Sequence, residues 1–165
     1  MGISLETPKN WAEFSLDDGD LEMETRLLTA EDLLSHTHDL LKPCLEIHVS
    51  GVPYRADFVT AFHSATRLIA TAVNIPKFLS VFVGTTPFEF QMGHHKLIFQ
   101  QSSTVFGTHL DGYIFLNFSR LNRYSLKTMT GGILEEFVHA LMNIKDESLV
   151  QTVVGFLLPK GGETT

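Results

Sequence analysis

The chain holds a single cysteine, Cys44, in 165 residues. An internal disulfide is therefore excluded, and the composition fits a reducing, cytoplasmic compartment. With no second cysteine nearby, Cys44 reads as a small buried hydrophobe and not as a thiol metal ligand. No apolar run approaches the roughly 18 residues that span a membrane. Met1–Lys9 lacks the basic start and long apolar stretch of a secretory signal. Lys and Arg total twelve against nineteen Asp and Glu, for a formal charge of -7, and they form no cluster. Binding to nucleic-acid phosphates is therefore not expected. There is no G-x-S-x-G elbow, no G-x-G-x-x-G and no G-x-x-x-x-G-K, so serine-hydrolase and nucleotide-binding readings have no support. Internal repeats and low-complexity linkers are absent as well.

What is present is enough apolar material for a real core: 44% of the chain, with thirteen phenylalanines. The length predicts one domain over residues 1–165. Residues 1–24 are polar and read as a loosely ordered N-terminal segment. Its acids, at Asp17–Asp18–Gly19–Asp20 and Glu22–Glu24, lack the spacing of a calcium loop and read as a solvated face.

Thr29 followed by Asp32 resembles a capping box, opening a helix Ala30–Leu41 that stops near Pro43. Cys44–Val49 alternates as a strand, and Gly51–Val52–Pro53 is a turn. In Ala56–Val73 the apolar residues fall at helical spacing, and Asn74 and Pro76 end the element. Phe78–Val83 reads as a buried strand closed by Gly84. Phe88–Met92 and Lys96–Gln101 form a hairpin around Gly93–His94–His95. Val105–His109 and Tyr113–Phe118 pair across Asp111–Gly112, a strong hairpin signal. Two helices follow, Met129–Met142 and Asp146–Leu158, interrupted at Asn143–Lys145 and closed by Pro159. The resulting class is α+β, with helices packed on a mostly antiparallel sheet.

Most of the histidines have bland readings. His36 and His38 do not share a helical face. His94–His95 is a solvated pair in a turn, and His48 and His63 are single residues in a strand and a helix. His139 differs, because it closes the run Glu135–Glu136–Phe137–Val138–His139. Residues 135 and 139 stand at i and i+4 and share one helical face. An E-E-x-x-H run also arises by chance on amphipathic helices, with the acids solvated and the histidine hydrogen-bonded.

The run resembles H-E-x-x-H, the zincin metallopeptidase motif. In that motif two histidines hold zinc and the glutamate between them is the general base. Around it stand a strand ending in Asn117, a loop with Arg123, and a downstream run from Glu147 through Gln151 to Leu157–Leu158–Pro159. Over Thr108–Pro159, about a third of the chain, this is similar to the ImmA/IrrE branch of the zincin-like metallopeptidases. The resemblance implies a zincin-like fold, with the motif on a C-terminal helix followed by a second helix. It also implies metal ligands at Glu135, His139 and Glu147, with Asp146 competing for the third place, and Glu136 as catalytic base. The partner it implies is a protein or peptide.

Three departures stand out. Glu135 replaces a histidine ligand, Val138 replaces the usual glycine, and only seven residues separate His139 from Glu147. A Glu/His/Glu set can take zinc, and is hard enough for manganese or iron. Its added negative charge makes for poorer catalysis. The expectation is a degenerate zincin-like domain whose role the sequence leaves open, with Glu135, His139 and Glu147 as candidate ligands for a divalent metal. The alternatives are an active metal-dependent peptidase using Glu136, and an unrelated α+β interaction domain.

Overall fold

The computed structural model describes residues 26–74 and 77–160. The acidic segment at residues 17–24 and the helix stop at Pro76 lie outside them. The described chain is α+β. In order it comprises α1 (Ala30–Leu34), a 3₁₀ turn (Lys42–Cys44), β1 (Leu45–Val49), α2 (Ala56–Ala72), β2 (Leu79–Gly84), β3 (Phe88–Met92) and β4 (His95–Phe99). It continues with β5 (Gly107–Leu110), β6 (Tyr113–Asn117), α3 (Phe118–Leu121), α4 (Leu126–Met142) and α5 (Glu147–Leu157). No described helix is long and apolar enough to cross a membrane.

The expectation of a mostly antiparallel sheet is corrected. The main sheet has the order β1-β2-β6-β5; β2 pairs with both β1 and β6 in parallel, and only β5–β6 is antiparallel. For β1 and β2 the cause is α2, a 17-residue helix between them. A helical crossover of that length returns the chain to the end from which it started, so the next strand runs parallel. The hairpin β3–β4 forms a separate two-stranded sheet.

The strand period of two distributes the core. Leu79, Val81, Val83, Ile114 and Leu116 belong to the main core with the helices. Phe82 and Phe115 belong instead to a second cluster with Phe88 and Phe90 of the hairpin. Phe82 and Phe115 stack at 5.0 Å between ring centres, and Phe99 stacks on Phe115 at 3.9 Å. Every residue of β2 is buried, as a central strand covered on both faces requires. On α2, the apolar stripe Phe58, Ala61, Phe62, Ala65 and Ile69 is fully buried. It packs on α4, with the Phe62 and Phe137 rings meeting edge to face at 5.9 Å.

Helix α1 is shorter than its sequence suggests. The capping box forms: Asp32 N donates to Thr29 Oγ1, and Thr29 N donates to the Asp32 carboxylate. Beyond Leu34, however, Ser35 and Thr37 hydroxyls donate to the carbonyls of Asp32 and Leu33. Such side-chain bonds compete with the helical ladder. Cys44 ends the 3₁₀ turn just before β1 and is half-buried, not fully enclosed. His94 and His95 are exposed at the β3–β4 turn.

Candidate metal centre

Helix α4 begins at Leu126, three residues earlier than its periodicity suggested, because Ser125 caps it by accepting from Thr128 N. It ends at Asn143, which adopts the left-handed conformation with φ 53°, a common helix terminator. Asp146 then caps α5: its Oδ1 accepts from Leu149 N at 2.8 Å. That bond occupies the carboxylate of the competing third ligand. The reversal between Asn143 and Asp146 turns α5 back along α4, with Val150 and Val154 buried in the core. Glu147, in the first turn of α5, is thereby returned to His139.

Glu135, His139 and Glu147 each offer a ligand atom, and these atoms all lie within 4.8 Å of one another. This group could hold a metal ion. His139 Nε2 is 3.3 Å from Glu147 Oε2. On the other side of the ring, Nδ1 is 2.7 Å from the carbonyl oxygen of Ile144. A carbonyl only accepts, so Nδ1 carries a proton, and Nε2 is the ring atom left facing the Glu147 carboxylate. A histidine whose outer nitrogen donates to a carbonyl is oriented and tautomer-fixed as metal-binding histidines are.

The electrostatics of the residues present also fit a cation. Burial raises the Glu135 carboxyl above its ordinary range, and Glu147 raises it further, with His139 opposing. Glu136 is only 8% exposed. Burial, reinforced by Glu135 and Glu147, pushes its carboxyl up to about 8. Three carboxylates crowd one half-buried site, and a divalent cation is the natural counter-charge.

Glu136 sits behind the ligand set against the edge strand. A Cβ built on Gly107 would lie 2.6 Å from Glu136 Cγ and 2.9 Å from Oε1. Glycine at 107 is therefore what lets the helix place a glutamate there. All four residues open on one cleft of about 920 Å³, bounded by β5, the C-terminal half of α4 and the start of α5.

His109 was not singled out from the sequence. It lies on β5 and lines the same cleft. Its ring stacks nearly parallel to His139, at 6.3 Å between centres and 6° between planes. Its Nε2 is buried with no hydrogen-bond partner among the described residues. Burial, then His139 and Lys77, hold its pKa below the usual histidine value, against Asp111. The available signal was its i, i+2 relation to Gly107, which puts both on one strand face. The other single histidines stay away from this cleft. His48 stacks on Phe82 at 4.7 Å, and His63 bonds to the carbonyl of His36.

Compared with known protein families, with curated proteins and with solved structures, the chain matches none.

Proposed function

We propose that the protein is a zincin-like domain that binds one divalent metal ion through Glu135, His139 and Glu147, and that it is degenerate as a peptidase. The observation that carries this reading is the convergence of three ligand atoms within 4.8 Å from two helices, with the histidine nitrogen already selected by the Ile144 carbonyl. Two carboxylates and one imidazole form a hard, anionic set. Zinc, manganese and iron are the candidate ions. When bound, the ion would supply Lewis acidity and a counter-charge for the carboxylates.

The chain's own groups carry the rest. The Ile144 carbonyl holds His139 in one tautomer, and Gly107 leaves room for Glu136 beside the ligands. Glu136 keeps its proton near neutral pH while no cation offsets Glu135 and Glu147. An anionic first ligand at Glu135, where peptidases use imidazole, would lower the ion's Lewis acidity and so favours binding over turnover.

The active-peptidase reading rests on one observation: Glu136 lines the same cleft as the three ligands. Metal content separates the proposal from chance clustering. Protein purified without chelator should carry close to one equivalent of a divalent ion, and the His139→Ala and Glu147→Gln variants much less. Peptide cleavage that is chelator-sensitive and lost in Glu136→Gln would replace the degenerate reading with the enzymatic one.

A further inference from the structure

A second cavity, of about 370 Å³, opens at the carboxyl ends of the parallel strands β2 and β6, where Gly84 pairs with Asn117. In open sheets with parallel strands this is the end where ligands bind. Three chain segments meet there, each emerging from a strand end or a connecting loop. Thr85, Ser103 and Ser119 contribute exposed hydroxyls, one from each segment, and Arg120 and Arg123 contribute guanidinium groups. Among the described residues no acidic side chain lines the cavity. Among the described residues neither arginine makes an ion pair. In a chain of net charge -7, two uncompensated arginines facing one polar pocket are not an average surface.

Arg120 is pre-positioned. Its guanidinium lies 4.8 Å from the Tyr124 ring centre and 5.8 Å from that of Phe106. Those two rings fix each other edge to face at 5.0 Å. Its backbone N donates to Asn117 Oδ1, and the Asn117 side chain is held in turn by the Val105 carbonyl. Yet the Arg120 Nε is buried with no hydrogen-bond partner among the described residues. A buried charged donor without an acceptor is costly. A ligand oxygen would satisfy it.

We propose that this cavity binds a phosphate group, free or as the monoester of a small molecule. Two guanidinium forks supply a charge of two and several in-plane donors, which match a tetrahedral dianion. Hydroxyls on three segments supply further donors from other directions. The site is independent of the metal centre: it shares only Thr104 with the metal cleft and none of its ligands.

The test is titration of the full chain with inorganic phosphate, and in parallel with glycerol 3-phosphate, at constant ionic strength. The readouts are calorimetry and the Arg Nε–Hε resonances in ¹⁵N NMR. Saturable one-to-one binding is expected, with one arginine Nε resonance shifting strongly. Arg123→Gln, at an exposed position, should weaken it about tenfold, the loss of one charge-assisted hydrogen bond. Arg120→Lys keeps the charge and should weaken it comparably, because the fork is lost. Glu147→Gln should leave it unchanged. Equal affinity for both probes assigns free phosphate; at least tenfold preference for the ester assigns a phosphorylated ligand. Shifts that chloride reproduces, or binding retained in the Arg120→Lys/Arg123→Gln double variant with native NMR dispersion, would overturn the proposal.

Discussion

The side chain of Glu136 lies directly against the backbone of Gly107, so closely that a Cβ on residue 107 would stand 2.6 Å from Glu136 Cγ. This contact joins the motif helix to the edge strand. Gly107→Ala should therefore destabilise the fold by about 1–3 kcal/mol, the range for overpacking a filled site. It should weaken metal binding as well. Denaturant unfolding checks the first effect and calorimetry the second.

The Glu136 carboxyl also sets a pH dependence. Its pKa is raised in the folded state to about 8 from 4.5. The folded metal-free protein thus binds more protons than the unfolded chain between those values. Its stability is greatest below the lower value and falls as pH rises through the upper one. The amplitude is on the order of a few kcal/mol. Glu136→Gln should flatten this slope and be more stable than wild type above pH 8. Unfolding free energies at several pH values are the measurement; parallel curves for the two proteins would remove Glu136 as the cause.

The same proton predicts how metal binding looks. A cation near Glu136 favours its ionised form, so binding at pH 7 should release protons into the buffer. Calorimetry in buffers of different ionisation enthalpy should give a release that is smaller in Glu136→Gln.

Asp146 and Glu147 are adjacent but have different tasks. Asp146→Ala removes the α5 cap, which should cost about 1 kcal/mol and leave metal stoichiometry intact. Glu147, with its side chain well exposed, should show the reverse in Glu147→Gln: near-native stability and impaired binding. Paired unfolding and metal-binding measurements on the two variants check this.

Local features of this chain were legible because local chemistry decides them. The helical stripe from Phe58 to Ile69 is buried as its spacing demands. Asp111 and Gly112 both take positive φ in the β5–β6 turn, as the two-residue hairpin requires. Glu135 and His139 share a face by helix geometry alone. Strand direction was not legible, since pairing β1 with β2 and β2 with β6 depends on crossovers and not on strand composition. The end of α1 was lost to side-chain bonds from Ser35 and Thr37. The resemblance singled out Glu136 as a base, with a solvated charge as the alternative, but its burial was not legible, because the approach of Gly107 comes from a strand distant in sequence. His109 reaches His139 through that same strand-on-helix contact.

We propose that Glu135, His139 and Glu147 form one divalent-metal site. Its most direct test is calorimetric titration of zinc and manganese into chelator-treated wild type, His139→Ala and Glu147→Gln at pH 7. One saturable site per wild-type chain is expected for at least one of the ions, with affinity reduced at least tenfold in each variant. Absence of saturable binding, or binding that both variants retain, would contradict it.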